Sequence, residues 1–130
     1  MNSLNRYAPY CLGLLRIVTA LIFILHGTQK LFGFPAPPAG GALPAAFTLY
    51  WFAGVLEFVG GLLLLVGFQT RIVAFILCGQ MAFAYWMAHA PRSLYPALNG
   101  GDAAILYCFV FLYLVFAGAG AFAIDKNSRG

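Results

Sequence analysis

Phe47-Thr-Leu-Tyr-Trp-Phe-Ala-Gly-Val-Leu-Glu57-Phe-Val-Gly-Gly-Leu-Leu-Leu-Leu-Val-Gly67 runs for 21 residues with one charge in it. That is the length a helix needs to cross a hydrocarbon core about 30 Å thick. Three further stretches have the same character: Leu12 to Phe32, Arg71 to His89 and Ala103 to Ile124. A chain of 130 residues with four such spans has no room for a separate extramembrane module. The expected fold is therefore all-α, an integral membrane four-helix bundle forming a single domain over residues 1–130, with lipid as its surroundings.

Composition leads to the same class. Hydrophobic residues make up 63% of the chain and charged ones 8%, against roughly 25% charged in a soluble domain. A water-soluble enzyme is excluded on that ground. The net charge of +4 comes from Lys and Arg scattered singly, without the basic cluster that nucleic acid binding needs. Cys11, Cys78 and Cys108 lie far apart in sequence and form no C-x-x-C pair, so they read as small apolar filler, and no metal site is expected. The first apolar stretch is longer than the roughly 7–15 residues of a cleavable signal core and runs into His26-Gly-Thr-Gln-Lys30, so it reads as a mature helix.

The connections differ in kind. Residues 33–46 are rich in Pro and Gly and uncharged, whereas Phe68-Gln69-Thr70 is only a tight turn, which makes the second and third helices an antiparallel hairpin. Asn99-Gly100-Gly101-Asp102 supplies a turn before the last helix, with Asp102 suited to cap it. Arg6, Arg71, Lys126 and Arg129 fall on the side of the termini, and Arg16 can snorkel there. Only Lys30 and Arg92 fall on the other side. By the positive-inside rule both termini face the cytoplasm.

An ionised side chain at mid-membrane costs roughly 2.5–3.5 kcal/mol on insertion scales and needs a reason. Glu57 is flanked on its helix face by Gly54, Gly60 and Gly61, at about 100° per residue. Those glycines suit close helix contact or leave space beside the carboxylate. Arg16, Thr19, His26, Gln29 and Lys30 share one arc of the first helix, and either Lys30 or His26 can reach Glu57. A His26–Glu57 contact would form a titratable pair able to relay protons. Each of these side chains also has a plainer role, as a satisfied interior hydrogen bond. Gln80 and His89 stand nine residues apart, on opposite sides of a regular helix, so His89 is read as a last-turn or loop residue. With Tyr95, Asn99 and Asp102 it would close the outer mouth of the bundle. Tyr50, Trp51, Trp86 and Tyr95 read as interfacial anchors.

His26-Gly27-Thr28-Gln29-Lys30, Gly54-Val55-Leu56-Glu57-Phe58-Val59-Gly60-Gly61 and Asn99-Gly100-Gly101-Asp102, in this order on four short helices, resemble the DoxX family of bacterial membrane proteins. The family usually closes with Gly-Pro-Gly and a Ser before its final Asp; here Gly118-Ala-Gly-Ala-Phe-Ala-Ile-Asp125 lacks the proline and the serine. The resemblance implies a multi-pass protein of the bacterial inner membrane, grouped with respiratory or sulfur redox systems, in which some relatives are subunits of quinone-reducing oxidoreductases.

Three functions compete. As a redox-associated subunit, the protein would use His26 and Glu57 as a proton relay and Gln29, Lys30, Gln80, His89, Asn99 and Asp102 to hold a quinone, with a cavity bounded by His26, Gln29, Glu57 and Asn99. Electrons would come from a membrane or periplasmic partner, since no dinucleotide fingerprint or cysteine cluster is present. As an accessory subunit, in a homo-oligomer or a larger complex, it would use Glu57 and the glycine face only for assembly. The third reading is a small transporter, for which no internal repeat speaks. Haem between His26 and His89 is disfavoured, because the chain has only two histidines.

Overall fold

The computed structural model describes residues 2–36 and 41–125, leaving aside the side chains of Asn2 and Asn99. Among these residues there is no strand. The main helices are α1 Ala8–Phe32, α2 Leu49–Val66, α3 Thr70–Ala84 and α4 Asp102–Ala117. Single helical turns, Asn2–Asn5 and Pro96–Asn99, precede α1 and α4, and α3 runs on into a π turn, Tyr85–His89, and a 3-10 turn, Ala90–Arg92. Ala8–Phe32, Leu49–Val66 and the continuous segment Thr70–Arg92 are each long and apolar enough to cross a membrane. At 16 residues, α4 is about 24 Å long and falls short of a full crossing.

Local chemistry sets the helix ends. Pro9 lies in the first turn of α1, where its missing N–H costs nothing. Thr48 caps α2, its hydroxyl oxygen accepting from the Trp51 N–H at 3.4 Å. Gly33 and Gly67 end α1 and α2 in the left-handed region, at φ +71° and +72°, where a Cβ would be strained.

The expected fourth span, Ala103 to Ile124, is cut short at Ala117. Gly118 and Gly120 take positive φ, and residues 118–125 fold back against α1 and the α2–α3 turn. Ala121 N–H donates to Pro9 O at 2.9 Å, Ile124 N–H to Val66 O at 2.9 Å and Asp125 N–H to Gly67 O at 2.8 Å. Irregular backbone inside an apolar bundle needs donors for its carbonyls, and Arg16 supplies them. Its Nη1 donates to Ala119 O and, at 3.1 Å, to Ala121 O, while Nη2 donates to Phe122 O at 2.6 Å. Arg16 is therefore fully buried and does not snorkel to the membrane surface, because the returning chain takes up its donors. Arg71 likewise donates to Val115 O and Phe116 O at the end of α4. Asp102 does not cap α4. Gly101 occupies the cap without a side-chain bond, and Asp102 stands exposed in the first turn, where its charge still suits the helix dipole.

The helices pack as two close pairs, α1 with α2 and α3 with α4, while α2 and α3 meet far more loosely despite the turn that joins them. Glycine explains the first pair. A Cβ on Gly27 would come within 2.7 Å of Phe58 N, and one on Gly61 within 2.5 Å of Ile24 Cγ1. Between the pairs, Phe23 meets Tyr107 and Phe111 edge-on, with ring centroids 5.1 and 5.0 Å apart, a favoured aromatic geometry. Cys78 and Cys108, distant in sequence, bring their sulfurs to 3.7 Å across the α3–α4 contact as free thiols. Large apolar side chains such as Phe75, Phe109 and Phe116 point outward, which suits lipid rather than water.

Candidate functional site

Lys30 and Glu57 meet in the half of the bundle opposite Arg16. The fourteen residues from Arg16 to Lys30 place the two cations about 21 Å apart along α1. Glu57 is 4% exposed and accepts from Lys30 Nζ at 2.9 Å through Oε1. Its other oxygen, Oε2, accepts from Gln80 Nε2 at 3.0 Å, and Gln80 also leans toward Ala53 O at 3.4 Å. One carboxylate thus gathers donors from α1 and α3 onto α2. With its amide turned to donate to Glu57, Gln80 is left with a buried Oε1 that accepts nothing from the described protein groups.

Gly54 sets this geometry, since a Cβ there would press on Lys30 Cβ at 2.9 Å. Gly60 and Gly61 do not open space beside Glu57 as expected. Leu77 and Ile24 pack directly against them, so these glycines serve helix contact alone.

The ion pair separates two cavities. The larger, about 340 Å³, lies in the loose α2–α3 seam, walled by apolar side chains including Tyr50, Phe52, Phe83 and Met87, with Lys30, Glu57, Gln80 and His89 as its polar groups. The smaller, about 220 Å³, lies inside the bundle and is lined by His26, Lys30, Glu57, His89 and Tyr107, with Gly100 at the loop end.

The expected site residues divide accordingly. His26, Lys30, Glu57, Gln80 and His89 converge on these two cavities. Among the described residues His26 makes no hydrogen bond to Glu57 and packs edge-on against Tyr107, ring centroids 5.7 Å apart; Lys30 takes the place beside the carboxylate. Gln29 is half-buried and lines neither cavity, and the exposed Asp102 lines neither as well. The side chain of Asn99 lies outside the described residues, as do Lys126 and Arg129.

Gln80 and His89 reach the same cavity because the α-helix gives way to a π turn at Tyr85, where the Ala90 N–H bonds back to Tyr85 O. The wider turn delays each residue around the axis and brings His89 round from the far side. Tyr107 is the residue that sequence reasoning missed. It belongs to Leu106-Tyr-Cys-Phe-Val-Phe-Leu-Tyr113 on α4, a helix apolar on all sides, whose sequence marks no inward face.

The DoxX family profile matches residues 11–90, a stretch that contains His26, Lys30, Glu57, Gln80 and His89 but not Tyr107. An uncharacterised protein of Haemophilus influenzae is 48% identical over 130 residues, covering 98% of this chain and 97% of its own length. No solved structure matches the chain.

Proposed function

The chain belongs to the DoxX family, and from that premise we propose that it is a multi-pass protein of the bacterial inner membrane, associated with a respiratory or sulfur redox system, that binds a quinone headgroup beside Lys30, Glu57 and Gln80. One observation carries this reading: a charged hydrogen-bonding cluster around the buried Glu57 carboxylate forms the polar side of an apolar cavity of about 340 Å³. That is the size and character of a small-molecule pocket, mostly apolar with a few placed polar groups. A quinone carbonyl needs a donor, which Lys30 offers; a quinol hydroxyl needs an acceptor, which the Glu57 carboxylate offers. The same carboxylate can hold a proton. The electrons come from a partner subunit.

In this reading both termini face the cytoplasm, on the side of Arg6 and Arg71. The test of function is binding of a short-chain quinone and its quinol to the whole protein in lipid nanodiscs. Saturable binding that weakens about tenfold or more in Glu57→Gln is expected, the equivalent of one charged hydrogen bond. Binding equal in parent and variant contradicts the proposal.

A second reading, a non-catalytic assembly subunit, is favoured by the close glycine contacts of Gly27, Gly54 and Gly61, to which the ion pair would only add a further tie. It predicts that Glu57→Gln lowers stability without any quinone effect.

A further inference from the structure

The smaller cavity is unlike its neighbour. Its polar side chains come from every main helix or its extension: His26 and Lys30 from α1, Glu57 from α2, His89 from the π turn after α3, and Tyr107 from α4. It also reaches Gly100 in the loop before α4, an exposed residue. His89 sits beneath that loop, its Nδ1 3.8 Å from where a Cβ on Gly100 would stand. The histidine that lines both cavities therefore also lies close to Gly100 in that loop.

The size and lining of the space suit water. At about 30 Å³ per water, 220 Å³ accommodates roughly seven molecules, and a water is retained where it finds two to four polar partners. The lining offers them. Lys30 has three N–H donors, of which one goes to Glu57 Oε1; the imidazoles and the Tyr107 hydroxyl add donors and acceptors.

We propose that this smaller cavity is a hydrated proton route, leading from the membrane face that carries residues 93–101 to the Lys30–Glu57 pair, with His89 at its mouth and Tyr107 along its wall. The quinone reading supplies only its purpose, delivery of protons to the headgroup; hydration and access rest on the geometry. In the step it serves, His89 passes a proton to a water, the water chain passes one to the Glu57 carboxylate, and His89 recovers a proton from solvent. No electron moves and no bond other than O–H and N–H changes.

The test is cysteine accessibility in the full chain, made free of native cysteine by replacing Cys11, Cys78 and Cys108 with Ala and reconstituted in sealed vesicles. Ala104→Cys and Met81→Cys place a thiol on the cavity wall at residues that are 8% and 6% exposed. Leu77→Cys, at a fully buried position in the dry core, is the control. A charged, membrane-impermeant thiol reagent is expected to label both cavity cysteines from the side that labels Arg92→Cys, and to leave Leu77→Cys untouched. If one cavity variant fails to fold, labelling of the other decides between the outcomes. Absence of labelling in folded protein, equal labelling from both sides, or equal labelling of Leu77→Cys overturns the proposal. Short-chain quinone binding measured on the same vesicles separates the two ideas. Labelling without quinone binding removes the quinone reading and leaves the water route; quinone binding without labelling does the reverse.

Discussion

Asp125 accepts the backbone N–H of Thr70 at 2.9 Å through Oδ2, and through Oδ1 it accepts the N–H of Gln69 at the same distance. The last described residue of the chain thus caps the start of α3, a task that Gln69, in the left-handed region and without a side-chain bond, does not perform. Asp125→Ala should cost about 1 kcal/mol, the usual worth of a helix N-cap. Thermal unfolding of the detergent-solubilised protein measures it, and an unchanged midpoint would contradict the assignment.

The same carboxylate, at the α2–α3 turn and outside the spans, makes stability depend on pH. Partial burial alone would raise its pKa, but hydrogen bonds from Thr70 and Gln69 and the charge of Arg16 outweigh burial and hold it below the ordinary carboxylate range. A depressed folded-state value means the contribution is complete above the ordinary Asp value of about 3.9 and is lost as pH falls through the lower folded value. The stability gap between parent and Asp125→Ala should therefore be constant near neutrality and close in acid.

Arg16 serves three carbonyls of residues 119–122 from a fully buried position. Arg16→Met leaves those carbonyls without donors and should cost about 3 kcal/mol or more, given 1.5–3 kcal/mol for each hydrogen bond to a charged group. Arg16→Lys should rescue little, because one ammonium cannot reproduce the planar fork. Hydrogen exchange is expected to rise first in residues 118–125; uniform protection in Arg16→Met would refute the clamp.

Gly27 and Gly79 should respond in opposite directions. A methyl on Gly27 runs into the backbone of α2, at 2.7 Å from Phe58 N and 2.9 Å from Gly54 O, whereas one on Gly79 meets nothing within 4 Å. Gly27→Ala should destabilise by about 1–3 kcal/mol through overpacking. Gly79→Ala should be neutral or gain up to about 1 kcal/mol of helix propensity. Unfolding midpoints of the two variants decide the matter.

Much of this was legible in the sequence, and the failures have physical causes. Apolar length alone marked α1, α2 and α3, and the burial cost of Glu57 demanded a partner on α1, which is Lys30. Sequence could not choose Lys30 over His26, because that depends on the close α1–α2 approach at Gly27 and Gly54. It misplaced Arg16, since snorkelling is favourable only when no buried carbonyls compete for the guanidinium. It read His89 as a last-turn or loop residue because nine residues of regular helix would set it opposite Gln80, and the break it required is the π turn at Tyr85. Tyr107 carried no signal on an all-apolar helix, and the end of α4 at Ala117 reflects the folding back of residues 118–125, a tertiary event.

Quinone binding in the α2–α3 seam is tested most directly by photolabelling the nanodisc-embedded protein with an azido-quinone and mapping the modified peptides. Labelling is expected in α2 near Tyr50 and Ala53 and in the π turn near Met87, the walls of the larger cavity, displaced by excess unlabelled quinone and much reduced in Glu57→Gln. Labelling confined to outward residues of α4 such as Phe109 and Phe116, or labelling that excess quinone does not displace, would contradict binding at this site.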